Sequence, residues 1–176
     1  MSDGLAEGLT LAALIGDGFV REALLATADW PLATWLRRSP TGYIYFNAGH
    51  ILAIGVLLGS ILVLDARLLG LFGGQPVEAL GPPLATAAMV GAVAAIVTGF
   101  LIFTVRPDAY LGNAAFTAKL ALLVLALANA LALRMTAAWR NALDYGEVTP
   151  PVRVAAALSL ILWPATLLAG RWIAFL

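Results

Sequence analysis

The stretch Ser39 to Leu64, SPTGYIYFNAGHILAIGVLLGSILVL, decides the fold of this chain. It contains no Asp, Glu, Lys or Arg, and it exceeds the roughly 20 helical residues that cross a bilayer core about 30 Å thick. A run of this kind in a chain with 62% hydrophobic residues predicts a membrane span. His50, within this stretch, is the only histidine in the sequence.

The composition of the whole chain indicates the same class of protein. Only 11% of the 176 residues are charged, whereas charged residues make up about a quarter of an ordinary soluble domain. The absence of cysteine excludes disulfides, thiolate metal sites and cysteine nucleophiles. The formal net charge is zero and no basic cluster occurs, so we expect no nucleic-acid partner.

Four apolar segments are long enough to span, at about 44–64, 84–105, 113–133 and 154–172. The second follows Pro82-Pro83, where proline suits a first helical turn. Short connections between the segments predict an all-α fold, an integral membrane four-helix up-down bundle over residues 43–176. Basic residues divide almost evenly between the two sides, so the positive-inside rule gives no orientation.

Residues 1–42 are predicted to form an amphipathic arm. Apolar side chains recur in its first half at helical spacing, at Leu5, Leu9, Ala12, Ile15 and Phe19. Trp35-Leu36-Arg37-Arg38 then places tryptophan beside arginine just before the first span, which is typical of an interfacial segment. We therefore expect the arm to lie along the membrane surface rather than to cross it.

Small residues on the predicted spans indicate close helix packing. Gly55 and Gly59 form a GxxxG step in the first span, and the second span carries Gly91 and Gly99 on a small-residue ridge. Lipid provides no hydrophobic drive for helix association, so small residues allow the close approach that holds spans together. These glycines are expected to pack helices within the chain or, alternatively, to contact a second copy or a partner membrane subunit.

Polar residues of three spans are expected at one depth near the arm. At 1.5 Å per residue, His50 lies about 9 Å below the surface, and Lys119 and Thr98 reach a similar depth. Asn47 lies one turn above His50 on the same helix face. An ionisable group inside a membrane is costly and is by default a functional candidate.

This layer has a functional and a structural interpretation. A neutral His50 nitrogen is a suitable ligand for haem iron, copper or zinc, and Asn47 is the expected partner that orients the ring. Alternatively, His50 donates one hydrogen bond within a helix interface, and the Lys119 stem extends to the membrane surface. The sequence leaves both interpretations open.

A second polar layer is expected at the opposite surface. Asp65 and Arg67 end the first span there, and Arg134 ends the third. Pairing of Asp65 with Arg134 or Arg67 would form a structural clasp at the membrane edge. The alternative is a proton or ion relay.

Three groups of residues carry a family resemblance, namely Asn47-Ala48-Gly49-His50, the glycines Gly55 and Gly59, and Asp65-Ala66-Arg67-Leu68-Leu69-Gly70. They resemble an uncharacterised family of small four-span proteins of the bacterial inner (cytoplasmic) membrane. The helical layout is also remotely similar to the copper-resistance D proteins and the b-type membrane cytochromes. Intramembrane histidines bind metal or haem in those proteins.

The remote resemblance implies a haem b or a copper ion at His50. A bis-histidine haem needs two histidines and this chain has one, so Lys119 or a partner chain would supply any second ligand. We therefore predict a redox-type membrane subunit that binds haem or metal. The alternatives are a small transporter or channel component and a non-catalytic assembly protein.

Overall fold

The computed structural model describes residues 10–175, and all regular secondary structure in that range is helical. The α-helices are α1 Leu11–Ile15, α2 Phe19–Ala26, α3 Pro31–Arg38, α4 Pro40–Leu68, α5 Val77–Val105, α6 Pro107–Leu111, α7 Ala114–Arg134, α8 Ala137–Tyr145 and α9 Pro150–Trp172. Short 3-10 turns occupy Thr27–Asp29 and Ile173–Phe175. Leu5 and Leu9, on which part of the predicted amphipathic pattern rests, lie outside the described residues.

Four of these helices are long and apolar enough to cross a membrane, namely α4, α5, α7 and α9 with its following 3-10 turn. Even the shortest, α7 with 21 residues, is about 31 Å long at 1.5 Å per residue, which matches the thickness of a bilayer core. The predicted all-α, four-span architecture is confirmed. The chain is a multi-pass membrane protein.

Two spanning helices begin before their apolar runs. α4 begins at Pro40, because the Ser39 side chain accepts a hydrogen bond of 3.1 Å from the Gly42 amide and caps the helix. α5 includes Pro82 and Pro83 in its interior, although the sequence places them before the span. Each proline removes one backbone donor, but both lie in the early turns of a 29-residue helix that continues past them.

The four spans pack in the lateral order α5, α4, α9, α7. α4 contacts both α5 and α9, and α7 packs on the far side of α9. Neighbouring spans are antiparallel, since Leu57 of α4 faces Gly91 of α5 while the earlier His50 faces the later Gly99. The second and third spans, although consecutive in sequence, therefore pack mainly on different neighbours and meet each other through long side chains near their ends.

Two buried clusters hold the row together. One joins the spanning helices near their middle through Leu57, Ala88, Ala126 and Trp163. The other lies at the end away from the arm, where Trp139 of α8 packs with residues of α4, α5 and α9. The short amphipathic helix α8 therefore closes that end of the bundle.

The arm lies across the other end. α3 packs on α4 and α5, and α1 contacts α7. Leu36 is 1% exposed, and Arg37 donates hydrogen bonds to the carbonyls of Val105 and Ala28. Trp35, by contrast, is 50% exposed, so α3 has one face on the bundle and one face turned outward.

Candidate functional site

His50 lies on α4 where that helix meets α5, and Thr98 is its hydrogen-bond partner. The Nδ1 atom of His50 is 2.9 Å from the Thr98 hydroxyl oxygen. The ring also lies near the carbonyl of Ala95. Two residues that the sequence places at one depth are thus in direct contact across a helix interface.

The partners of Thr98 identify the tautomer of the imidazole. Thr98 donates its hydroxyl hydrogen to the Ala94 carbonyl, 2.6 Å away and one turn earlier in the helix. A hydroxyl has a single hydrogen, so its oxygen accepts from His50, and Nδ1 carries the ring hydrogen. In the neutral imidazole the lone pair then belongs to Nε2, the nitrogen that can bind a metal or a proton.

Gly99 provides the space in which the imidazole lies. A Cβ atom at this position would be 2.9 Å from Cε1 of His50 and 3.6 Å from each ring nitrogen. Such an approach to Cε1 is closer than van der Waals contact allows, so glycine is required for the present ring position. The sequence assigns Gly99 to helix packing, whereas in the structure it packs against the candidate ligand itself.

Lys119 of α7 lies along α9 beside another glycine. A Cβ atom on Gly170 would be 3.4 Å from both Cδ and Cε of Lys119 and 3.6 Å from Nζ. This position is near the carboxyl end of α9, where free carbonyl groups favour a positive charge. His50 lies between α4 and α5, whereas Lys119 lies between α7 and α9. That the two side chains form one layer stays a prediction.

Neither of the two asparagine side chains near this layer, Asn47 and Asn113, contacts the His50 ring through a hydrogen bond within the described residues. Asn47 is half-buried, and within the described range no hydrogen bond joins it to His50, so Thr98 is the residue that orients the ring. Asn113 accepts a hydrogen bond of 3.1 Å from the Phe116 amide and caps α7. It also donates to the carbonyl of Ile173 at 3.2 Å, which ties α7 to the end of α9.

Asp65 lies at the opposite end of the bundle, and its side chain points into it. It is 4% exposed and shares a hydrogen bond with the Ser159 hydroxyl of α9. In the described part of the chain, the one side-chain ion pair joins Asp17 and Arg21 in the arm. The predicted clasp of Asp65 with an arginine is therefore not formed.

The two candidate arginines have backbone partners. Arg67 donates to the carbonyl of Gln75 in the following loop. Arg134 donates to the carbonyl of Ala85, 2.9 Å away on α5. Arg67 follows Asp65 by two residues, which turns it about 200° around the helix axis. The carboxyl group faces α9 and the guanidinium faces outward.

The glycines predicted to pack helices divide into two pairs. Gly91 and Gly99 face α4 within the chain, as the close distances to Leu57 and His50 show. Gly55 and Gly59 have no atom within 4 Å of an added Cβ, so they face open space. A contact with a second copy or a partner subunit stays a prediction, and only Gly55 and Gly59 are free for it.

Sequence reasoning missed the polar residues of α9. Ser159 and Trp163 are buried and lie one turn apart on the same helix face. The Ser159 hydroxyl is the hydrogen-bond partner of Asp65, and the Trp163 side chain lines the same cavity. The available signal was a serine and a tryptophan four residues apart in the apolar middle of the fourth span. Gly170, beside Lys119, carried no signal by itself.

A family of unknown function, DUF6644, has a model that matches residues 37–176, a range that includes all four spans. The chain belongs to this family. The predicted membership of an uncharacterised family is thus confirmed. Comparisons with curated proteins and with solved structures give no match.

Proposed function

We propose that this chain is a redox-type subunit of the bacterial inner membrane that binds haem b through His50. The supporting observation is the hydrogen bond from Nδ1 to Thr98, which leaves the Nε2 lone pair for an iron atom. A ligand histidine typically donates its other N–H to a protein group, because that bond fixes the ring and raises its basicity. When bound, haem supplies one-electron transfer.

The number of protein ligands favours haem over a bare copper ion. A bare ion draws several nitrogen, oxygen or sulfur ligands from the protein. Within residues 10–175, no group of three or more His, Cys, Asp or Glu side chains could hold one. A porphyrin brings four nitrogens of its own, so a single histidine can attach it. This chain has one histidine, so it can supply one imidazole ligand to a haem iron.

Lys119 supplies the second element of the proposed site. Its ammonium group lies beside Gly170 near the end of α9, and the rise per residue predicts for it the same depth as His50. The propionate groups of haem are anionic, and a charge-assisted hydrogen bond from a lysine is stronger than a neutral one. We propose that Lys119 pairs with a propionate while His50 binds the iron.

Purified protein in detergent is expected to show a Soret band that shifts on reduction with dithionite. His50→Ala should lose this band, because the only histidine is then absent. Lys119→Met should retain the band with at least about tenfold weaker haem affinity, since charge-assisted hydrogen bonds contribute about 1.5–3 kcal/mol. Absorption spectra and haem titration of the apoprotein measure both effects.

Ser60→Ala serves as the matched control, because Ser60 is a polar residue of the same helix outside the layer. The Ser60→Ala variant should keep the Soret band and should bind haem with the affinity of the native chain. A colourless, metal-free preparation that takes up no added haem would contradict the proposal. Transport and assembly would then become the leading functions.

A further inference from the structure

The second and third spans leave a lateral opening between them, because each packs on a different neighbour. α5 contacts α4, α7 contacts α9, and α4 and α9 together form the floor between the two. A cavity of about 240 Å³ fills this space, and its lining comes mainly from these four helices. We call this space, bounded by α5 and α7 over the floor of α4 and α9, the lateral window.

Contacts between α5 and α7 bound the lateral window at both ends. Toward the arm, the rings of Phe103 and Phe116 stack with centroids 5.6 Å apart. Tyr110 packs against both rings, and burial and the hydroxyl of neighbouring Tyr43 raise its pKa. At the other end Arg134 reaches across from α7 to the carbonyl of Ala85.

The lateral window opens toward the lipid. Val93 on its α5 edge is 58% exposed, and Leu131 on its α7 edge is 59% exposed. Both residues lie within spanning helices, where the surroundings are acyl chains. A molecule dissolved in the bilayer can therefore enter the window sideways without passing through water.

Two polar atoms at the floor of the window have no hydrogen-bond partner. They are Oδ2 of Asp65 and Nε1 of Trp163, and both residues are 4% exposed. Leaving a buried polar atom unpaired in this way is unfavourable, so a ligand that pairs with it gains affinity. One atom accepts a hydrogen bond and the other donates one, and both residues line the same cavity.

Charge and size narrow the kind of molecule that fits. The charged residues that line the cavity are Asp65 and Arg134, whose formal charges cancel, so the site favours a neutral ligand. A cavity of about 240 Å³ greatly exceeds the 10–15 Å³ or so that a single water needs. The remaining lining is largely apolar, and Trp163 and Trp139 offer aromatic surface.

We propose that the lateral window is a binding site for a neutral lipophilic molecule with a ring-bound hydroxyl group, of the alkylphenol and quinol class. A ring-bound hydroxyl has a hydrogen to donate to Asp65 and an oxygen that accepts from the Trp163 N–H, so one ligand group can serve both atoms. An alkylammonium ion would pair with Asp65 but leave the Trp163 N–H without an acceptor and face Arg134. This site is separate from His50 and does not depend on haem binding.

The test compares 4-propylphenol with its methyl ether, 4-propylanisole, on the full chain in detergent micelles. The chain has five tryptophans, and ¹⁵N-labelled indole groups report each N–H by NMR. The indole signal that is missing in the Trp163→Phe variant belongs to Trp163, and the titration follows this signal. The phenol should shift this signal in a saturable titration, and the ether, which cannot donate to Asp65, should bind at least about tenfold more weakly.

Asp65→Asn tests the acceptor directly. The amide that replaces the carboxyl group can keep its oxygen on Ser159 and then has no acceptor left for the phenol, so affinity should fall at least about tenfold. Asp144→Asn makes the same chemical change at an exposed position of α8 and should leave the affinity unchanged. Retained circular dichroism and a single size-exclusion peak show that each variant is folded.

Either of two results would overturn the proposal. Equal binding of phenol and ether to the native chain would mean that no hydrogen bond to Asp65 is made. Equal shifts at the indoles of Trp30, Trp35 and Trp163 would mean partition into the micelle only. The probe comparison uses the native chain, so it stands even where Asp65→Asn fails to fold.

Discussion

Gly91→Ala is expected to destabilise the bundle by about 2–3 kcal/mol, an effect typical of overpacking a tight interface. The added Cβ would lie 2.6 Å from the backbone nitrogen of Leu57, 2.9 Å from its Cα and 3.0 Å from the carbonyl oxygen of Ala53. These are backbone atoms of α4, and no side-chain rotation relieves the clash. α4 and α5 would have to separate along the interface that also positions His50.

Unfolding in mixed micelles with increasing sodium dodecyl sulfate, followed by circular dichroism, measures this change in stability. Gly55→Ala is the matched control, because an added Cβ at Gly55 meets no atom within 4 Å. There the better helix propensity of alanine should raise stability by up to about 1 kcal/mol. Equal stability of the two variants would mean that the close approach of α4 and α5 at Gly91 does not hold in the folded protein.

The spans were predictable because length and hydropathy alone determine whether a helix can cross a bilayer. All four predicted segments fall almost entirely within the helices that the structure shows. Depth was predictable for the same reason, since the rise per residue is fixed. That reasoning placed His50 and Thr98 at one level, and the structure joins them by a hydrogen bond.

Lateral order was not predictable, because hydropathy carries no information about which spans are neighbours. Asp65 and Arg134 lie near the same surface, and charge alone predicts that they pair. In the structure Asp65 faces α9 and Arg134 reaches α5, so they line one cavity without forming an ion pair. The lateral window follows from this order, which only the three-dimensional packing reveals.

The roles of single glycines could not be predicted from the sequence, because they too depend on which helices are neighbours. A GxxxG step signals close packing but not its partner. Gly55 and Gly59 form the clearer motif and face open space, whereas the less regular Gly91 and Gly99 make the contacts that matter within the chain. Gly99 in particular meets a side chain rather than a helix backbone, and no spacing rule anticipates that.

Gly99→Ala is expected to displace the imidazole of His50 and to weaken the proposed haem binding at least about tenfold, the cost of losing one well-oriented interaction. The added Cβ would lie 2.9 Å from Cε1, so the ring must tilt away from α5 and lengthen its hydrogen bond to Thr98. The clash is with a side chain, so stability should fall less than in Gly91→Ala. Comparing Gly99→Ala with Gly91→Ala therefore separates an effect on the geometry of the site from an effect on the stability of the bundle.

Because His50 is the only histidine, ¹⁵N-histidine NMR of the haem-free protein reports its two ring nitrogens without ambiguity. The native chain should show a protonated Nδ1 and an unprotonated Nε2 at neutral pH. In Gly99→Ala the Nδ1 hydrogen bond should weaken, and the two tautomers should become more evenly populated. Gly49→Ala, beside His50 in sequence but with open space around its Cβ, should match the native spectrum. A native-like spectrum of Gly99→Ala would mean that Gly99 does not position the ring. The Nδ1-protonated tautomer would then have to be explained by other contacts.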